Sequence, residues 1–373
     1  MRKLHKQEGM LFALLRASLH QKKTETCFFE GASADDWKAC YKLACQQGVM
    51  ALAWDGVLKL PAEMIPPKAL RITWGMAVQA YEKKYERYCN TIQELTDFYL
   101  RRGIMTVQLK GVGLSSYYPV PSHREGGDID IYTFSKNKEV MTDAEANLLA
   151  DKLMEEQGIE VDMHSPKHSN FYYKGIPIEN HKTFLDVERY KIAGQADAWL
   201  RKVLEPQFTY LMDGEHMCLT PPKVFNTLFV AFHAAQHYAA GLALHHLCDW
   251  AMVLRKCGGK LPENFGDRKF RGAVESLTYL CNAVLGTNVK VNWRAAYLAD
   301  EMLDVMLYPK FVVGFVPDNI TGKWNILKYK FRRFFYIHRL NNQALEWPMW
   351  KRVWDCVVNH YQRPETIFEV KRK

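Results

Sequence analysis

The chain has 373 residues, a formal net charge of +9, and a composition in which 48% of residues are hydrophobic. Its length allows two or three modest domains with a well-buried core, and its composition is that of an ordinary soluble globular protein. The nine cysteines include no C-x-x-C pair and several lie in apolar stretches, which argues against a disulfide framework or a zinc site and indicates the reduced thiols of a cytoplasmic protein.

Residues 1–103 are predicted to form an N-terminal helical region, because their apolar residues recur at spacings of three and four. The basic opening, MRKLHKQEGMLFALLRASLH, is interrupted by Arg16 and His20 and is followed by no small-residue cleavage site, so we interpret it as a helix of the mature protein. Pro66-Pro67 then precedes a long charged segment, which predicts a single surface or bridging helix that ends at Gly103.

Residues 104–195 are predicted to form a small α/β domain. The segments IMTVQLKG and DIDIYTF are short and rich in β-forming residues, and DAEANLLADKLMEEQG is an amphipathic helix. Three more strands are expected in IEVDMHS, SNFYYKG and IPIENHKTF.

The remaining residues, 196–373, are predicted to be helical. Their longest apolar stretch carries four histidines and a glutamine, so no transmembrane segment is expected.

Two aspartates lie close together in REGGDIDIY, directly after a pair of glycines. Residues i and i+2 of a strand share a face, so Asp128 and Asp130 are expected to project together while Ile129 and Ile131 enter the core. Two such carboxylates repel each other unless a cation lies between them, and Mg²⁺ prefers hard oxygen ligands. The alternative is a strand end at which one aspartate caps a neighbouring turn.

The residues upstream favour the metal interpretation. LKGVGLSSYY predicts a strand that ends at Lys110-Gly111 and a glycine turn into a short helix, whose backbone N–H groups can bind phosphate. Arg124 and Gly127 follow just before the aspartates. The segment has no Walker A motif, and GVGLSS lacks the last glycine of G-x-G-x-x-G, so a P-loop hydrolase and a Rossmann dinucleotide site both lose support.

A strand, a glycine turn with a helix and then a strand carrying D-x-D resemble the DNA polymerase beta superfamily of nucleotidyltransferases. More narrowly, LKGVGLSSYYPVPSHREGGDIDIYTF is similar to the signature of the uncharacterised bacterial nucleotidyltransferase family: Lys-Gly, Tyr-Pro, an Arg and then Gly-Asp-Ile-Asp. IPIENHKTF and FVAFHAAQHYAAGLALHHLCDWAMVL are similar to later segments of that family, so the resemblance covers residues 10 to about 257. The sequence departs from the family at Asn180, where a leucine is common.

The resemblance implies an α+β fold, in which a small mixed-sheet polymerase beta-like domain is flanked by helical regions. It also implies a Mg²⁺-dependent enzyme, with Mn²⁺ as an alternative metal, that moves a nucleoside monophosphate from a nucleoside triphosphate such as ATP to a hydroxyl acceptor. Pyrophosphate is the expected second product. The acceptor stays open between a small metabolite, a sugar, a protein side chain and an RNA end.

Site residues follow from the same resemblance. Asp128 and Asp130 would bind the metal ions with a third carboxylate from a later strand. Glu179 is favoured over Asp162 for that role, because strand alternation places Glu179 and His181 on one face. The nucleotide is expected to contact Lys110, Gly111, Gly113, Arg124 and Gly127. The acceptor pocket is expected to include His181, His237, His245 and Asp249.

Several histidines have two interpretations. His233 and His237 lie four residues apart on a predicted helix, which is a metal-ligand spacing, but Ala-Ala-Gln between them is not the pattern of a metalloprotease. A core or cleft role is therefore favoured over a zinc site. His245, His246 and Asp249 can pair across one helical turn, either as a structural contact or as part of the acceptor pocket.

The C-terminal tail carries most of the net charge. Between residues 323 and 373, twelve Lys and Arg residues stand against four Asp and Glu residues, and aromatic residues are interleaved with them. This pattern suits nucleic acid or an acidic membrane surface. The favoured alternative is a pair of amphipathic helices whose aromatics pack on the core. The tail also supports a second functional hypothesis, a catalytically silent module that binds nucleotide or RNA.

Overall fold

Four helices precede the first strand in the computed structural model, which describes residues 2–211, 216–262, 267–292, 294–311, 316–317 and 319–368. They are α1 (Lys6–His20), α2 (Ala34–Gln46), α3 (Met50–Val57) and α4 (Lys68–Leu100). Helix α4 is the long helix predicted after Pro67. The chain leaves it through Gly103, whose φ of 75° is a left-handed conformation that glycine adopts without steric cost.

A seven-stranded mixed sheet follows, with the strand order β3-β4-β5-β2-β1-β7-β6. Strand β2 lies antiparallel to β1 and parallel to β5, while β1 lies parallel to β7. The predicted α+β class is confirmed. The strands are β1 (Ile104–Gln108), β2 (Ile129–Ser135), β3 (Val161–Asp162), β4 (His168–Tyr173), β5 (Ile176–His181), β6 (Gln207–Leu211) and β7 (His216–Thr220).

Strands β6 and β7 correct the prediction that the chain is helical from residue 196 onwards. They join the sheet because Val107 of β1 pairs with Leu219 of β7, and β6 forms the outer edge. Both strands are short, and Phe208 and Tyr210 of β6 are exposed, so their apolar pattern does not mark a buried strand. The sheet therefore extends past residue 195.

Helices pack against both faces of the sheet. Ile129 and Ile131 of β2 are buried in an apolar cluster with Ile92 of α4 and Ala150 of α6, as strand alternation predicted. Tyr132 of β2 belongs to a second cluster, which includes residues of α1, α8, α9 and α10. The remaining helices are α5 (Val112–Ser115), α6 (Asp143–Glu156), α7 (Ala193–Val203), α8 (Lys223–Ala240), α9 (Leu244–Cys257), α10 (Arg268–Leu280), α11 (Ala299–Leu307), α12 (Lys323–Ala344) and α13 (Met349–Gln362).

None of the helices within the described ranges combines the length and the apolar character that a membrane span requires. The long apolar segment of the sequence is divided between α8 and α9. Histidines of both helices face a cleft instead of lipid.

Helix α3 connects the N-terminal helices to the segment before the D-x-D strand. Its first two backbone N–H groups, of Met50 and Ala51, donate to a carboxylate oxygen of Glu125 at 2.6 and 3.2 Å. On the other side α3 packs directly on α1, where a Cβ atom on Gly56 would overlap the backbone of Leu14. The glycine permits this approach at the C-terminal end of α3, while the N-terminal end of the same helix holds Glu125.

We expect Gly56→Ala to lower the free energy of unfolding by about 2 kcal/mol, because the added methyl group forces two packed helices apart. Gly194→Ala is the matched control, since a Cβ atom on Gly194 in α7 would meet no other atom within 4 Å. That control should be neutral or should raise the stability by less than about 1 kcal/mol. Urea denaturation followed by circular dichroism measures both, and equal midpoints for the two variants would contradict the packing described.

Candidate active site

Adjacent parallel strands bring the predicted carboxylates together. Asp130 of β2 lies opposite Glu179 of β5 in the strand register. The Asp130 side chain is only 1% exposed and that of Glu179 is 24% exposed. Asp128, two residues before Asp130, lines the same cleft. Asp162 is exposed on β3, which two further strands separate from β2, and it accepts a hydrogen bond from the backbone N–H of His164. The geometry thus places Glu179, and not Asp162, beside the aspartates.

Asp130 is held by two nitrogen donors. Lys110 Nζ lies 2.7 Å from its Oδ1 atom, and His181 Nε2 lies 2.9 Å from the same oxygen. Burial opposes ionisation of Asp130, but the charge of Lys110 and the hydrogen bond from His181 together hold its pKa well below the usual range. Asp130 is therefore a carboxylate in the interior of the sheet.

The other two carboxylates differ from Asp130 in their electrostatics. The charge of Asp130, and then burial, raises the pKa of Asp128. Burial also acts against ionisation of Glu179, but a hydrogen bond from His181 keeps the pKa of Glu179 below its ordinary value. Asp128 and Asp130 thus repel each other, and a divalent cation between them would relieve that repulsion.

A metal ion fits the donor atoms that this arrangement supplies. Ligand atoms of Asp130, Glu179 and His181 lie within 4.8 Å of one another. Carboxylate oxygens suit Mg²⁺ and Mn²⁺, whereas an imidazole is a more usual ligand of softer metals. His181 Nε2 lies 2.9 Å from Asp130 Oδ1 and so fixes the orientation of that carboxylate.

These groups lie at one end of a cleft of about 1040 Å³, a volume sufficient for a nucleotide and a second substrate. The walls come from the sheet, from the loop before β2, from α8 and α9, and from α13. Polar residues that line the cleft include Lys84, Lys110, Arg124, Asp128, Asp130, Lys167, His168, Glu179, Arg189, His233, His237, His245, His246, Asp249 and Lys351.

Arg124 and Asp249 form one ion pair, although the sequence suggested separate roles for them. Arg124 Nε and Nη2 donate to the two carboxylate oxygens of Asp249 at 3.0 and 2.8 Å. The hydroxyl of Tyr118 donates to the same carboxylate at 2.6 Å. The side chains of Arg124 and Asp249 are 10% and 9% exposed. This ion pair connects the loop before β2 to α9, so Arg124 already has a partner and is not an unpaired cation for phosphate binding.

The predicted glycines occupy different environments. Gly111 has a φ of 51°, and a Cβ atom there would lie 3.4 Å from the carbonyl oxygen of Asp128. Gly127 lines the cleft, and its carbonyl oxygen accepts a hydrogen bond from the hydroxyl of Tyr88 at 3.0 Å. Gly113 is buried against Gln108, and its N–H donates to the carbonyl of Lys110 at 2.8 Å. Gly113 therefore serves the packing of α5 on β1 and is not among the residues that line the cleft.

Lys167 is a cleft residue that the sequence did not indicate. It lies in the loop before β4, and its carbonyl oxygen accepts the N–H groups of Lys182 and Thr183 at 2.8 and 3.1 Å. Burial lowers the pKa of the Lys167 ammonium. No local motif marks this lysine, because only the pairing of β4 with β5 carries it toward Glu179.

The histidines of α8 and α9 converge on the opposite wall. Ligand atoms of His233, His237 and His246 lie within 4.8 Å of one another, and the rings of His245 and His246 are 3.8 Å apart. Burial lowers the pKa of His237 to about 3, so this imidazole is neutral. Nδ1 of His246 accepts the backbone N–H of Ala243 at 3.1 Å, which places the proton of a neutral ring on Nε2. His233, His237, His245 and His246 all line the cleft.

Comparison with known proteins identifies a family for most of the chain. The family model described as "Uncharacterised nucleotidyltransferase" matches residues 33–286, about two thirds of the chain. The matched range includes every described strand, the carboxylates and the cleft histidines. No curated protein and no solved structure matches the chain.

We expect Asp249→Ala to lower the free energy of unfolding by about 3 kcal/mol, because it leaves the buried guanidinium of Arg124 without its partner. Asp35→Ala is the control, since Asp35 pairs with Lys38 at a fully solvated site where both side chains are more than two-thirds exposed. That change should cost less than about 1 kcal/mol. Chemical denaturation at neutral pH compares the two variants, and a small effect of Asp249→Ala would mean that the ion pair is unimportant for the loop.

Proposed function

The chain belongs to the family of uncharacterised nucleotidyltransferases, and from that premise we propose that it moves a nucleoside monophosphate from a nucleoside triphosphate to an acceptor hydroxyl. The observation that carries this proposal is the meeting of Asp128, Asp130 and Glu179 around Lys110, in a cleft large enough for two substrates. Nucleotidyl transfer is the general activity of the family. The acceptor class, the metal and the release of pyrophosphate belong to the proposal.

Divalent metal would be held by Asp128, Asp130 and Glu179, and it would neutralise the charge of the triphosphate and of the departing pyrophosphate. Mg²⁺ is the first choice for an all-oxygen donor set, and Mn²⁺ is the alternative. The support is electrostatic: the carboxylates carry more negative charge than Lys110 balances, and the pKa of Asp128 is raised by its neighbour Asp130.

The chemistry is an in-line displacement. The acceptor oxygen forms a bond to the α-phosphorus, the bond from that phosphorus to the β-bridging oxygen breaks, and pyrophosphate leaves with the electron pair. Glu179 is more exposed than Asp130, and the described part of the chain places no ammonium at contact distance from it. We therefore propose that the carboxylate of Glu179 accepts the proton of the acceptor hydroxyl. Lys110 and His181 keep Asp130 ionised and fix its orientation.

Phosphate binding requires a cation that is not already paired. Lys110 contacts Asp130, and Arg124 contacts both oxygens of Asp249. Lys167 lines the same cleft, and its ammonium interacts by charge with Asp130 and Glu179. We propose Lys167 as the cation that contacts the triphosphate, in place of the role that the sequence suggested for Arg124.

Replacement of the carboxylates tests the reaction. We expect Asp128→Asn, Asp130→Asn and Glu179→Gln each to lower nucleotidyl transfer by at least about 100-fold, since each removes a metal donor or the proton acceptor. Asp162→Asn is the matched control and should stay within about twofold of the unchanged protein. The assay incubates purified protein and Mg²⁺ with each of the four nucleoside triphosphates and a cell extract, and measures pyrophosphate and nucleotidylated products by mass spectrometry.

The proposal fails on either of two results. One is the absence of nucleotide binding by calorimetry with both Mg²⁺ and Mn²⁺. The other is a measured transfer activity that survives the double change Asp128→Asn and Asp130→Asn.

Lys167→Ala should weaken nucleoside triphosphate binding about tenfold, because it removes a charge that contacts phosphate. Lys167→Arg should restore most of the affinity. Lys138→Ala, at an exposed lysine outside the cleft, should leave the affinity unchanged. Calorimetric titration with a non-hydrolysable analogue measures all three, and equal affinities for Lys167→Ala and Lys138→Ala would exclude the phosphate role.

A further inference from the structure

Helix α13 makes an unusual contact with the rest of the protein. Among its residues only Arg352 is buried. The guanidinium of Arg352 lies over the ring of Phe334 on α12 at 4.4 Å and over that of Trp347 at 5.0 Å. A charged side chain is thus the most buried point of this helix. Cys356 and Val358 are partly buried, and the five other large apolar residues after Met349 lie elsewhere.

They face solvent in a single row. The α13 stripe, as we call it, has side chains between 44% and 88% exposed and consists of Trp350, Val353, Trp354, Val357 and Tyr361. Their spacings of three, one, three and four residues place them on one side of an α-helix. At 100° per residue the stripe lies opposite Arg352. The expectation that the tail aromatics pack on the core is therefore wrong for this helix.

The segment that carries the stripe is basic in sequence. Between residues 323 and 368 the chain has nine Lys and Arg residues against three Asp and Glu residues. Helix α12 adds two strongly exposed aromatics, Trp324 at 83% and Phe331 at 64%. Both helices lie outside the range that matches the nucleotidyltransferase family, residues 33–286. A positive helix pair with an exposed apolar row is therefore an addition to the matched region.

We propose that the α13 stripe docks on an anionic lipid surface. The helix carries tryptophan and tyrosine on its exposed apolar side, and the segment from residue 323 to 368 that includes it has an excess of Lys and Arg. Tryptophan and tyrosine favour the headgroup level, where the ring is buried and its polar atom stays hydrated. With 14 residues, the helix is about 21 Å long, too short to cross the hydrocarbon layer and suited to lie along it.

Two other occupants fit the surface less well. A second copy of the chain would bring two positive helix pairs together, and their charges repel. Single-stranded RNA would use stacked aromatics in a basic groove, whereas Val353 and Val357 form a continuous row with the aromatics and offer bases neither a ring nor a hydrogen bond. The aliphatic part of the stripe favours lipid.

The docking has a consequence for the candidate active site, because α13 reaches the cleft with its other residues. Lys351 and Asp355 line the cleft, and they are neighbours of stripe residues Trp350 and Trp354. A lipid surface under the stripe would therefore lie close to the mouth of the cleft. The docking itself does not depend on the proposed nucleotidyl transfer.

Vesicle co-sedimentation of the full chain tests the proposal. We expect binding to vesicles of phosphatidylcholine with about 30 mol% phosphatidylglycerol at low salt, and much weaker binding to pure phosphatidylcholine or at high salt. The double variant Trp350→Ala and Trp354→Ala should lower the partition coefficient at least about tenfold. The matched control is Phe208→Ala with Tyr210→Ala, which removes two comparably exposed aromatics from β6 and should bind as the unchanged protein does.

Two additional measurements keep the outcomes separate. Quenching of tryptophan emission by brominated lipid should be strong in the unchanged chain and weak in the tryptophan variant. Asp130→Asn should retain vesicle binding, so that failure of the catalytic proposal leaves this one standing. The docking proposal is overturned by an absence of binding to anionic vesicles at low salt or by equal binding of the tryptophan variant. It is also overturned if the stripe instead supports dimer formation or RNA binding without vesicle binding.

Discussion

The buried carboxylate of Asp130 sets the main constraint on this protein. A charge in the middle of a sheet is stable only if donors surround it, and here they come from the two strands on either side of β2. Lys110 follows β1 and His181 ends β5. The strand order β5-β2-β1 therefore places His181, Asp130 and Lys110 side by side. Moving either donor to another strand would leave the charge of Asp130 without that partner.

The loop before β2 shows how the helices contribute to this site. Helix α3 holds Glu125, helix α4 holds the carbonyls of Gly126 and Gly127 through Lys84 and Tyr88, and helix α9 holds Arg124. Elements from three parts of the chain thus fix four consecutive residues. The aspartates that follow enter the sheet from a loop whose position is determined by the N-terminal and C-terminal helices together.

The place of Glu179 beside the aspartates was expected from the family resemblance, and strand alternation served only to choose its face. Local periodicity was sufficient to predict the inward Ile129 and Ile131, because this follows from alternation along a strand. It could not predict contacts that depend on distant packing. The pairing of Arg124 with Asp249 joins residues 125 positions apart, and Lys167 reaches the cleft only through a hairpin. Strands β6 and β7 were missed because both are short and the edge strand β6 exposes Phe208 and Tyr210. An exposed α13 stripe was not favoured because an amphipathic pattern does not say which face meets the core.

Helix α4 links these parts mechanically. It is a single helix of 33 residues, about 50 Å long, with Trp74 bonded to α3 near its start, Lys84 and Tyr88 at the glycine turn, and Tyr99 against α6 near its end. The strands and the N-terminal helices consequently share one structural element. A chain that began at residue 104 would lose the contacts of α4 with the glycine turn and with α6, so the carboxylates depend on a helix that lies outside the sheet.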